Sequence, residues 1–137
     1  MFFNKKKDKN DNSYLIKISA LLIHAAKIDE KYTDEEEEII KKTLYNLGAN
    51  QNELKTLITK GKESLNNANQ ILDFTREIKN LEETDKIKII TSLWRIIYSN
   101  KIADMYETNL MRRLSGLLYI DSKTMGEIKE QIKKENL

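Results

Sequence analysis

The sequence predicts an all-α fold, a compact bundle of about seven helices in which two pseudo-symmetric three-helix units are joined by a linking helix. Three observations lead there. Proline is absent and glycine occurs only four times in 137 residues, so little interrupts helix propagation. Apolar residues recur at the three- and four-residue spacing of a helix face along most of the chain. Polar capping residues stand between successive apolar segments. The length suits one domain with a real core, and 39% apolar with 34% charged residues suits a folded chain rather than a disordered one.

Residues 1–12, MFFNKKKDKNDN, read as a flexible basic tail, and residues 13–137 as the domain. The first helix is expected from Ser13 to Ile28, with Leu15, Ile18, Leu22, Ala25 and Ala26 on one face. Thr33 is the expected N-cap of the second, which carries Ile39, Ile40, Leu44 and Leu47 before Gly48 supplies a left-handed C-terminal residue. Asn50 caps a third through Leu54, Leu57 and Ile58, ending near Gly61, and residues 64–69 form a connector. A fourth helix carries Ile71, Leu72, Phe74, Ile78 and Leu81. Thr84 is the expected cap of the fifth, which is apolar almost all round (Ile87, Ile89, Ile90, Leu93, Trp94, Ile96, Ile97) and must be buried on most sides. Asp104 caps a sixth bearing Leu110, Met111, Leu114, Leu117 and Leu118, and Asp121 a seventh with Met125, Ile128 and Ile132.

A shift of 71 residues superimposes the first three helices on the last three. Leu22 then falls on Leu93, Thr33 on Asp104, Glu36 on Glu107, Ile40 on Met111, Leu47 on Leu118, and Asn50 on Asp121. Single apolar matches between amphipathic helices are cheap, but caps, turn lengths and apolar phase agree over three successive helices. The first and fifth helices, equivalent under the shift and the most apolar, are the expected central pair across a pseudo-twofold axis.

Composition narrows the function classes. The formal net charge is +2 with acids and bases interleaved, unlike the single-sign field of a nucleic-acid binder. No apolar run approaches the ~20 residues of a membrane span. The N-terminal order, apolar residues before lysines, reverses that of a secretory signal, so the cytoplasm is the expected compartment. Met1, Phe2 and Phe3 with Lys5, Lys6 and Lys7 offer at most a weak peripheral contact with an anionic membrane. There is no cysteine and a single histidine, His24, which excludes thiolate chemistry and multi-histidine metal sites and leaves no nucleophile–base set. His24 is expected on an exposed face with Lys17, Lys27 and Lys31; Trp94 is expected in the core, and Arg112 and Arg113 at the surface, where they form salt bridges or hold an anionic group. The chain is expected not to be an enzyme.

The most chemical feature is the turn after the first helix of each unit. KIDEKYTDEEEE, from Lys27 to Glu38, packs seven carboxylates into twelve residues. Thr33 and Glu36 have the spacing of a capping box, and acids in the first turn are favoured by the helix dipole, so a purely architectural reading covers most of the run. A hard divalent cation, Ca2+ or Mg2+, is the sharper reading, since carboxylates before and just inside a helix can converge on one ion. The candidate ligands are Asp29 and Glu36 in the first turn and, in the second, Asp104 and Glu107 with Asn100. An acidic patch recognised by a basic protein partner is a third reading.

The segments LLIHAAKIDEKYTDEEEEIIKKTLYNL, Leu21 to Leu47, and LWRIIYSNKIADMYETNLMRRLSGLLYI, Leu93 to Ile120, resemble the tellurite-resistance TerB family. The resemblance implies a compact all-α domain of two pseudo-symmetric halves, related to the N-terminal part of a membrane-bound DnaJ-type co-chaperone. It also implies a non-enzymatic binding or scaffold module, linked to tellurite and other chemical stress, with divalent metal held by acidic residues. Asp29, Thr33 and Glu36 match the family turn, although Glu30 stands where glycine is common. In the second turn Asn100 and Lys101 replace Asp-Gly while Asp104 and Glu107 remain, which lowers the local negative charge by about two. A cation is therefore expected at the first turn rather than the second. The alternative is a metal-free protein–protein adaptor.

Overall fold

A computed structural model of the protein describes residues 2–27, 32–67, 72–99 and 105–135; the side chains of 2–12, 67, 77 and 105–107 fall outside the description. Among the described residues there are seven α-helices, one three-residue 3-10 turn and no strand. The helices are α1 (Phe2–Ala26), α2 (Asp34–Asn46), α3 (Leu54–Asn67), α4 (Leu72–Ile78), α5 (Glu83–Tyr98), α6 (Met105–Leu117) and α7 (Ser122–Glu135). The all-α fold stands as the apolar spacing predicts.

α1 and α5 form the centre. From Ile18 to Ile23 every α1 side chain is fully buried, and on α5 so are Ile89, Ile90, Leu93, Ile96 and Ile97. α1 packs against α2, α3, α4 and α5, and α5 also packs against α2 and α7. The pairs α1–α3 and α5–α7 are equivalent under the repeat, and both form. A buried hydrogen bond between the Thr43 and Ser92 hydroxyls ties α2 to α5. Arg95 on α5 pairs with Glu135 on α7 at 3.3 Å. None of the described helices is long and apolar enough to cross a membrane.

Three boundaries differ from the sequence expectation. α1 starts at Phe2 rather than Ser13, because residues 3–12 contain no Pro or Gly to stop the backbone ladder. Ile28, the expected last residue of that helix, lies outside the described residues. α3 does not end near Gly61 but continues to Asn67, taking in the start of the expected connector. Gly61 is a packing residue instead: a Cβ there would lie 2.6 Å from Ser19 Oγ and 2.9 Å from Ser19 Cβ on α1. The N-cap of α5 is Glu82, with no side-chain cap bond, so Thr84 sits inside the first turn rather than before it.

Candidate functional site

The first acidic turn is organised by its capping residues. Thr33 has extended backbone angles (φ −91°, ψ 161°), and its hydroxyl accepts from the Glu36 backbone N–H at 3.1 Å. Glu36 Oε1 in turn accepts from the Thr33 backbone N–H at 2.8 Å and from the Thr33 hydroxyl at 3.2 Å. Glu36 is 2% exposed, so its carboxylate lies out of water and depends on these donors and on the positive end of the α2 dipole. Asp34, Glu35 and Glu38 are exposed, and Lys41 reaches Glu37 and Glu38 at 3.6 and 3.7 Å. Such surface pairs contribute little, ~0–1 kcal/mol each.

Tyr32 completes the turn. The Lys62 ammonium of α3 lies 5.0 Å over its ring. Its hydroxyl is buried, with no hydrogen bond of normal geometry among the described residues, although the Glu37 carboxylate is near enough to act on it. Burial first, and then the neighbouring Glu37 and Glu36 carboxylates, hold the phenol above its usual range.

Of the four predicted metal ligands, Glu36 alone has a described side chain. Asp29 and Asp104 lie outside the described residues, as does Asn100, and Glu107 belongs to α6 by its backbone only. The structure therefore brings Glu36 together with Thr33 and leaves the convergence of the four outside its description. A hard cation needs six or more oxygen ligands. Glu36 supplies one carboxylate, and its Oε1 already accepts from Thr33. Among the described residues no group of three or more His, Asp or Glu side chains converges.

The C-terminal ends of α2 and α6 share three equivalent backbone bonds. At α2, Leu47 N donates to Thr43 O at 3.0 Å, Gly48 N to Tyr45 O at 3.1 Å and Ala49 N to Leu44 O at 3.0 Å. At α6, Leu118 N donates to Leu114 O at 2.9 Å, Tyr119 N to Gly116 O at 3.3 Å and Ile120 N to Ser115 O at 2.9 Å. Each residue of the second set lies 71 positions beyond its counterpart. Both ends are Schellman motifs closed by a left-handed residue, Gly48 at φ 113° and Tyr119 at φ 58°. The capping positions of the following helices also correspond, with the bond reversed: the Asn50 backbone N–H donates to the Glu53 carboxylate at 3.1 Å, whereas the Thr124 backbone N–H donates to the Asp121 carboxylate at 3.1 Å.

A family model described as tellurite resistance protein TerB matches residues 15–130. The chain belongs to the TerB family. No curated protein and no solved structure matches it. In this TerB domain the matched span runs from the first core residue of α1 into α7, so both halves of the repeat belong to it.

Three features of the TerB chain escape a reading by spacing. His24 is half-buried rather than exposed; burial first, and then the Arg113 guanidinium of α6, hold its imidazole below the usual range. Lys86 is 7% exposed and its ammonium donates to the Leu118 carbonyl at 3.0 Å, satisfying a C-terminal carbonyl of α6. Tyr119 is a left-handed non-glycine residue 70% exposed to solvent. Its position opposite Gly48 in the repeat was the available signal for the last of these. For the other two no local pattern marks the partner helix. Trp94 is buried at 3% exposure as expected, with Tyr98 stacked at 5.9 Å and the Lys129 ammonium 5.5 Å over its ring.

Proposed function

We propose that this TerB domain is a non-enzymatic binding module of a tellurite or chemical stress response, which takes Ca2+ or Mg2+ at the first acidic turn through Asp29 and Glu36. The observation that supports this most is the buried Glu36 carboxylate, held in a fixed orientation at the start of α2 beside the segment that carries Asp29. A carboxylate oriented in advance loses little freedom on meeting an ion. The surplus acids Asp29, Glu30, Asp34 and Glu35 exceed what a capping box uses. Asp104 and Glu107 are the corresponding donors of the second turn, weakened by Asn100 and Lys101.

The second reading is a metal-free protein–protein adaptor, and one observation favours it. The capping box accounts for Glu36 with no ion at all.

Thermal melting in Ca2+ or Mg2+ after chelator treatment separates the two. Glu36→Gln is the informative variant, because glutamine keeps the cap and loses the charge. With a site in the first turn, wild-type protein melts higher in a saturable way, by the ~2.7 kcal/mol that ligand at a hundred times its Kd contributes. The gain is lost in Asp29→Asn and reduced in Glu36→Gln, both folded. An unchanged wild-type melting temperature at millimolar cation would leave the adaptor reading.

A further inference from the structure

Tyr119 is the described residue that folding explains least. It takes the left-handed position that closes α6, where the first half of the repeat places Gly48. A side chain there carries a steric cost that glycine avoids. Burial does not offset that cost, because the tyrosine is 70% exposed.

The conformation does place the ring on a basic face. The Lys79 and Lys86 ammonium groups each lie 5.9 Å from the ring centroid, and Lys86 is held there by its bond to the Leu118 carbonyl. Beside the ring, between α4 and α6, is a cavity of about 150 Å3 lined by Leu72, Arg76, Lys79, Leu117 and Tyr119 among others. Leu72 is 42% exposed, one of the few large apolar side chains open to solvent. None of the described side chains lining the cavity is acidic, and Arg76 and Lys79 form no ion pair among the described residues.

We propose that this face between α4 and the C-terminal end of α6 docks an acidic peptide segment of a partner protein. An aliphatic side chain of the segment fills the cavity beside Tyr119, and flanking carboxylates pair with Arg76 and Lys79. Charge complementarity selects an anionic partner. The apolar walls select a peptide over a bare anion, which would leave Leu72 and Leu117 uncovered. Tyrosine and arginine, with tryptophan, are enriched among the side chains that dominate binding energy at protein interfaces. The site uses elements other than the first acidic turn and stands independently of any cation there.

The test is fluorescence anisotropy with a labelled peptide of Glu and Asp around one central Leu, compared with its Gln/Asn counterpart. The acidic peptide is expected to saturate the protein, to weaken as salt rises, and to lose tenfold or more in affinity for Arg76→Glu/Lys79→Glu. Tyr119→Gly is expected to lose affinity by a similar factor while melting a few degrees higher, so that binding and folding move in opposite directions. Tyr119→Phe is expected to bind as wild type and shows that the ring is what matters. Equal binding of the amide peptide, unchanged affinity in Tyr119→Gly, or a lower melting temperature in that variant would each overturn the proposal. So would full displacement of the peptide by millimolar inorganic phosphate, or binding only to phosphatidylserine vesicles. A Tyr119-dependent dimer in sedimentation would overturn it in favour of a second copy of this chain.

Discussion

His24 shows how a single side chain couples the two halves. It lies on α1 beside the fully buried Leu22 and Ile23, and the Arg113 guanidinium on α6 acts on it electrostatically. Burial and that guanidinium both disfavour the imidazolium, so the folded pKa lies below the ordinary 6.5. The unfolded chain then binds more protons than the native one between those two pKa values, and stability falls as pH drops through 6.5 toward the folded value. Urea denaturation between pH 7.5 and 5.5 is expected to show stability decreasing with acid in wild type and a flatter profile in His24→Gln. Equal slopes would contradict the account. The Thr33–Glu36 cap was legible in the sequence because everything it needs lies within four residues. The environment of His24 was not, because it depends on the helices packed around α1 and on Arg113, which arrives from the other end of the chain.

Among the elements, α3 is placed by what it lacks. Gly61 faces Ser19 and Ala20 of α1, and a Cβ would sit 2.6 Å from Ser19 Oγ and 3.1 Å from the Ala20 nitrogen. Their repeat equivalents, Ile90 for Ser19 and Ile132 for Gly61, are both large and buried, so the two halves solve the same packing with different volumes. Alanine at an exposed helix interior stabilises by about 1 kcal/mol relative to glycine. At position 61 the contact dominates, because the Ser19 Cβ and the α1 backbone cannot both retreat, and overpacking of this kind costs about 1–3 kcal/mol. Gly61→Ala is therefore expected to lower stability by about 1 kcal/mol or more in urea; a more stable variant would show that α1 and α3 are not in close contact there. Helix phase was readable from the apolar period, and helix ends were readable where a side chain caps them. The run of α3 through Gly61 and the start of α5 at Glu83 were not, since neither carries a local stop or start signal.

Over the whole molecule the 71-residue repeat is the organising fact. It predicted the central α1–α5 pair and the equivalence of α1–α3 with α5–α7, and the matching Schellman ends carry it to individual backbone bonds. The fold was legible because burying two apolar helices under five others leaves few arrangements for a short chain. The site was less legible, because symmetry marks what the halves share, such as Glu36 and Glu107, whereas what singles out each proposed site lies where they differ. Asp29 and Glu30 stand in the first turn where the second has Asn100 and Lys101, and Tyr119 ends α6 where Gly48 ends α2. The most direct test of that claim is a pair of amide 1H–15N correlation titrations of the full chain with Ca2+ and Mg2+. Saturable shifts are predicted at the amides of the first turn, Lys27 to Glu38, with little change at residues 98–107. Shifts of equal size in both turns, or none in either, would contradict it.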